Sequence, residues 1–198
     1  MIQTVNLTRY YASLAAVQDL SLTVEQGELF GFLGPNGAGK TTTIRMIVGL
    51  LRPTEGTVKV AGHDVQQEPL AADQLIESYS GGMRHKIGLC GALLHEPPVL
   101  VLDEPLAGLD PYSARRVKDL LRDLCQQGST VFLSTHVLEV AERVCDRVGI
   151  LDQGRLVAVG TIEALRAHAR TTAETTLEDL FLQLTAGERA AEMVSLLG

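Results

Sequence analysis

The chain has 198 residues, 45% of them hydrophobic and 21% charged, which suits one soluble globular domain with a sizeable core. Its formal net charge is −7, which argues against a basic surface for binding nucleic acid. No run approaches the roughly 18 apolar residues of a membrane span, and the start, Met1 to Asn6, lacks the basic opening and apolar stretch of a secretion signal.

In chain order, strands are expected over Thr4–Tyr10, Leu20–Val24 and Leu29–Leu33, then a helix over Thr42–Leu51 and a strand over Thr57–Val60. A helix over Gly82–Leu94 leads to a strand over Val99–Leu102 and a helix over Ser113–Gln127. A strand over Thr130–Ser134, a helix over Leu138–Cys145 and strands over Val148–Asp152 and Leu156–Val159 follow. Shorter helical pieces lie near Ile162–Ala169 and Leu177–Leu184. This alternation predicts an α/β protein with a mainly parallel sheet flanked by helices. The first two strands have no helix between them and predict a small N-terminal antiparallel β extension. Cys90, Cys125 and Cys145 are widely spaced and read as buried reduced thiols in a cytoplasm, not as a disulfide framework or metal site.

Between the third strand and the first helix lies Gly34-Pro35-Asn36-Gly37-Ala38-Gly39-Lys40-Thr41-Thr42. A strand, a glycine-rich turn and a helix in that order are the setting of a phosphate loop. Small residues let successive backbone N–H groups curl around phosphate oxygens, and the helix N-terminus adds positive potential. Lys40 is placed to reach the β- and γ-phosphates of a nucleoside triphosphate, and the Thr41 hydroxyl to ligate Mg²⁺.

Val99-Leu100-Val101-Leu102 is a continuous apolar run ending in Asp103-Glu104-Pro105, the mark of a strand buried on both faces. Carboxylates at the C-terminal end of such a strand fall beside the phosphate loop in an open α/β sheet. Asp103 is placed to hold Mg²⁺ through water, and Glu104 to orient and polarise an attacking water. His136 follows the next strand on the ligand side, where it can donate a hydrogen bond to a γ-phosphate; taken alone, a single histidine is more often structural. His63, His85, His95 and His168 show no spacing for zinc. Tyr79-Ser80-Gly81-Gly82-Met83 precedes a helical run. Ser80 there reads as an N-cap whose neighbouring N–H groups can meet an anion, although the bare pentapeptide fits an ordinary helix start as well.

Five segments in register resemble the ATP-binding subunit of an ABC transporter: GPNGAGKTT (34–42), YSGGM (79–83), VLVLDEP (99–105), AGLD (107–110) and STH (134–136). The resemblance runs from Val5 to about Leu184, and GTIEAL (160–165) and LEDLF (177–181) resemble subunits paired with export-type membrane proteins. It implies a P-loop NTPase fold over residues 1–184, with 185–198 as a C-terminal helical tail. It also implies ATP and Mg²⁺, bound between two ATP-binding subunits arranged head to tail. A membrane-spanning transporter subunit is the implied partner, holding an otherwise cytoplasmic chain at the inner face of the membrane. Carried over by position, Tyr11 would stack on adenine, with Tyr10 the less favoured neighbour. Residues Gly34 to Thr42 would hold the phosphates from one subunit, while Ser80, Gly81 and Gly82 of the other touch the γ-phosphate. Asp110 would help join the halves. Glu104 and His136 would complete the hydrolytic site, with Thr41 and Asp103 at the metal.

One part of the family pattern is missing. Members carry a long insert before the signature, with a strand ending in a glutamine that touches Mg²⁺ and water, then most of a helical subdomain that docks on the membrane partner. Here only residues 63–78 separate Gly62 from Tyr79. Gln66, Gln67 and Gln74 follow no strand-like run, so none inherits the glutamine role. The seam is expected near 69–72. The lost strand would lie beside Val99–Leu102, leaving backbone groups there in search of partners. Three readings stay open: an exporter ATPase that works as a dimer, a nucleotide-binding module without productive hydrolysis or coupling, and a defective product of an internal deletion.

Overall fold

A computed structural model describes residues 1–67, 97–172 and 175–186. The N-terminal part runs β1 (Ile2–Tyr11), β2 (Leu14–Val24), β3 (Leu29–Leu33), α1 (Lys40–Ile47), β4 (Glu55–Val60) and β5 (His63–Asp64). There follow β6 (Val99–Asp103), α2 (Pro111–Gln126), β7 (Thr130–Thr135), α3 (Leu138–Val144), β8 (Arg147–Asp152), β9 (Arg155–Gly160) and α4 (Ile162–His168). Residues 177–186 are helical too.

These strands make two sheets, one antiparallel in the order β2-β1-β4-β5 and one in the order β6-β7-β3-β8-β9. In the second, β6, β7, β3 and β8 are parallel, and β9 turns back antiparallel to β8. Every residue of β3 and β7 is buried, as are Val99 to Leu102 of β6. Strands covered on both faces need such unbroken apolar runs. Leu33 pairs with Thr135 and Asp103 with Ser134, so the C-terminal ends of β3, β6 and β7 finish side by side. The loops leaving those ends share one edge, where ligands of open α/β sheets bind.

Phe132 lies between Phe30 and Phe32, with ring centroids 5.7 Å and 5.2 Å away. On one side of these rings, Ile44, Met46 and Ile47 of α1 share a core with Leu20, Leu22 and Val58 of the antiparallel sheet. A second core joins Leu100, Leu102 and Leu133 to Leu121, Val144, Leu165, Leu177 and Leu180 from the helices. Each such side chain contributes about 1.5–3 kcal/mol on burial.

The α/β architecture agrees with the sequence reading, and the differences lie at the element ends. The N-terminal extension is larger than two strands, because β4 pairs with β1 and β5 with β4. β2 starts at Leu14 instead of Leu20, and α1 stops at Ile47 instead of Leu51 because Gly49 takes φ 75°. The last helix continues past 184 to 186 with Thr185 buried. Among the described residues β6 has one strand neighbour, β7. The seam near 69–72, the helix over Gly82–Leu94, Cys90 and the Tyr79–Met83 segment lie outside the described residues. Cys145 is buried, as expected, while Cys125 is half-buried; desolvation pushes the Cys125 thiol up to about 11 and raises that of Cys145 as well, which disfavours the reactive thiolate. No helix among the described residues is long and apolar enough to cross a membrane.

Candidate functional site

The 34–42 loop takes its shape in part from Gly34 and Gly39, which no other residue can replace without displacing backbone. A Cβ on Gly34 would sit 2.4 Å from the Leu151 carbonyl oxygen, and one on Gly39 would sit 2.4 Å from that of Ala16. Gly39 also has φ 104°, a conformation open mainly to glycine. The loop is tied internally and to its neighbours. The Ala38 amide donates to the Pro35 carbonyl at 3.2 Å, and the Gly154 amide donates to the Ala38 carbonyl at 2.9 Å. α1 then begins directly at Lys40, with the Thr43 amide and hydroxyl both donating to the Gly39 carbonyl, at 2.9 and 3.0 Å. Asn36 and Gly37 form an exposed rim, while Thr42 is half-buried in the first turn of α1.

Lys40 is 7% exposed, an unusual place for an ammonium group without a charged partner. Its Nζ folds back to donate to the Gly34 and Pro35 carbonyls at 2.7 and 3.1 Å, and Glu104 Oε1 lies 3.8 Å away. Burial holds its pKa below the ordinary lysine value, and the negative charges of Glu104 and Asp103 pull it partly back.

The two carboxylates are held from β7. Ser134 Oγ donates to Asp103 Oδ1, and Thr41 Oγ1 donates to Asp103 Oδ2 at 2.9 Å. Glu104 takes φ 50°, which for a residue with a Cβ costs on the order of 1–3 kcal/mol and persists only where its surroundings impose it. The imposing contacts are visible: its amide donates to the Ser134 carbonyl at 3.2 Å and to Ser134 Oγ at 3.1 Å. This backbone turn swings the side chain over to His136, whose Nδ1 lies 2.9 Å from Glu104 Oε1. Lys40, Thr41, Asp103, Glu104 and His136 therefore meet in one place. Ser134 holds the Asp103 carboxylate and the Glu104 backbone, and sequence reasoning gave it no role. Its signal was a hydroxyl just ahead of His136, uninformative until β6 and β7 are paired in register.

Thr41 and Asp103 put a hydroxyl and a carboxylate in contact, the hard oxygen donors that suit Mg²⁺ when phosphates and waters complete its shell. Among the described residues no group of three or more His, Cys, Asp or Glu could hold a metal unaided. Tyr11 ends β1 with 44% of its surface exposed, and Tyr10 beside it has 38%. Tyr11 pairs with Leu14, two residues before the Ala16 carbonyl that abuts Gly39, which places it near the loop. Asp110 caps α2, accepting from the Ser113 amide at 2.9 Å and from its hydroxyl at 2.6 Å. Ser80, Gly81 and Gly82 lie outside the described residues.

A buried lysine inside a glycine loop between strand and helix, facing an acidic strand end, defines a P-loop NTPase. The family model described as ABC transporter matches residues 17–77, and one described as an AAA domain matches residues 52–142. The daunorubicin/doxorubicin resistance ATP-binding protein DrrA of Streptomyces peucetius is 35% identical over 220 residues, spanning 84% of this chain and 67% of the relative. The bacitracin transport ATP-binding protein BcrA of Bacillus licheniformis is 32% identical over 231 residues, spanning 90% of this chain and 76% of the relative. A solved ATP-binding subunit of an ABC transporter superimposes with a TM-score of 0.87 at 26% identity, over 93% of this chain and 99% of that one. A dimeric ATP-binding cassette bound to ADP and Pi shares the fold, with a TM-score of 0.74 at 20% identity over 82% of this chain and 99% of that one. The chain belongs to the ABC transporter family, among its ATP-binding proteins. The match to DrrA runs over 220 residues, more than the 198 this chain possesses, so the alignment passes through parts of the relative that have no counterpart here.

Proposed function

We propose that this chain binds MgATP at the 34–42 loop and hydrolyses it as a head-to-tail pair with a second ATP-binding subunit, driving export through a membrane-spanning partner. The observation that carries this reading is the convergence of Lys40, Thr41, Asp103, Glu104 and His136 at the ends of β3, β6 and β7. The backbone amides of Gly34 to Thr42 receive the triphosphate, and Lys40 trades its carbonyl partners for β- and γ-phosphate oxygens. Thr41 and Asp103 hold Mg²⁺, which when bound neutralises charge on the phosphates. Glu104, steadied by His136, orients and polarises the attacking water. Tyr11 stacks on adenine, and Ser80, Gly81 and Gly82 of the second subunit close the γ-phosphate side. Asp110, already a helix cap, helps join the halves. Residues 1–184 act as the ATP-binding domain and 185–198 as its C-terminal tail, at the inner membrane face through the partner. Relatives named for drug resistance and bacitracin transport support the export direction.

The test is steady-state phosphate release. Glu104→Gln is expected to lower turnover by about a hundredfold or more while leaving nucleotide binding in place. Equal rates in both proteins would reject an active ATPase.

The short 63–78 connection favours a second reading, a module that binds MgATP without productive turnover. In that case MgATP raises the melting temperature of the chain, Lys40→Ala removes the shift, and phosphate release stays at background.

A further inference from the structure

Tyr11 is not a free ring. The Arg9 guanidinium carbon lies 5.0 Å from its centroid, within the range of a cation–π contact. Arg9 and Tyr11 are two apart on β1, the spacing that puts side chains on one face of a strand. The guanidinium is anchored at its far end, where Nη1 donates to the Arg52 carbonyl at 2.9 Å. Arg52 lies in the connection between α1 and β4, so this bond ties β1 to that connection. Arg9 Nε is buried and finds no hydrogen-bond partner among the described residues. The group has given up a hydrogen bond to lie where it does, and the ring and the Arg52 carbonyl are the contacts that offset the loss.

We propose that Arg9 is a positioning residue for the nucleotide base: it backs the Tyr11 ring on one face and leaves the other face as a fixed platform for a purine. The proposal rests on the reading of Tyr11 as the stacking residue. An exposed tyrosine at a strand end loses side-chain freedom when a base settles on it, and that loss weakens binding. A ring already held by a tethered cation has lost that freedom beforehand. Arg9 therefore strengthens binding of the base without touching it, and contributes nothing to binding of the phosphates.

Dissociation constants for MgATP and for magnesium tripolyphosphate, measured on the full chain and its variants, test this. Arg9→Gln is expected to weaken MgATP by about threefold to tenfold and to leave tripolyphosphate unchanged. Arg9→Lys, which keeps a cation over the ring, recovers most of the loss. Arg9→Gln combined with Tyr11→Ala binds MgATP no more weakly than Tyr11→Ala alone, because the platform is already gone. Equal weakening of both ligands by Arg9→Gln assigns Arg9 a merely structural role and overturns the proposal, as do losses that add in the double variant. If Tyr11→Ala leaves MgATP affinity intact while Lys40→Ala abolishes it, the platform fails and the phosphate site stands.

Discussion

In the parallel sheet every residue of β3 and β7 is buried, and the side chains at the strand ends are locked to backbone or to one another. In the antiparallel sheet β1 ends in two tyrosines exposed by 38% and 44%, one of them resting on a single cation. The first region holds charge and must exclude alternatives to Lys40, Thr41, Asp103 and Glu104 in their mutual geometry. The second exposes two aromatic rings, the kind of surface on which a planar base can stack. If, as proposed above, the first region takes the phosphates and the second the base, damage to the two should differ in kind.

The largest effect is expected at the phosphate side. Gly39→Ala places a Cβ 2.4 Å from the Ala16 carbonyl at φ 104°, and should cost about 2–4 kcal/mol in denaturant unfolding. Gly37 has φ 84° but open space around it, so Gly37→Ala pays only the backbone term of about 1–2 kcal/mol. If both cost the same, crowding of the loop is not what shapes it. Next comes Tyr11→Ala on the base side, which should weaken MgATP about tenfold with little change in unfolding free energy. A large stability loss there would erase the contrast between the regions.

The smallest effect lies where the sheets join. Arg147 Nη1 of β8 donates to the Thr23 carbonyl of β2 at 3.3 Å and to Glu28 Oε1 at 3.2 Å. Burial raises the Glu28 carboxyl above its ordinary value of 4.5, against the opposing pull of the Glu25 amide and Arg147. The folded chain thus holds that proton more tightly than the unfolded chain. Its contribution to stability is full below pH 4.5 and is lost as pH rises through the folded-state value. Glu28→Gln should flatten that part of the stability–pH profile, measured by denaturant unfolding at stepped pH. An unchanged slope would contradict the assignment.

The parallel sheet was legible because Leu29–Leu33 and Val99–Leu102 are unbroken apolar runs, and the phosphate loop because its glycines flank a lysine at a diagnostic spacing. The first half of β2 was not. Ala15, Ala16, Gln18 and Asp19 carry little strand propensity, and pairing with Arg9, Tyr10 and Tyr11 of β1 makes that stretch a strand. The positive φ of Glu104 was hidden as well, since nothing local distinguishes Asp-Glu-Pro in a turn from the same residues held by Ser134 across a sheet. Arg9 escaped notice for a related reason: an arginine two residues before a tyrosine means a held ring only once the Arg52 carbonyl is seen at its other end.

The central claim is that the amides of residues 34–42 and the Lys40 ammonium hold the phosphates of MgATP. Equilibrium dialysis of labelled MgATP against the folded chain tests it most directly. Saturable binding is predicted, weakened about a hundredfold or more by Lys40→Ala. Absence of saturable binding by the folded chain, or equal affinity in a folded Lys40→Ala variant, would contradict it.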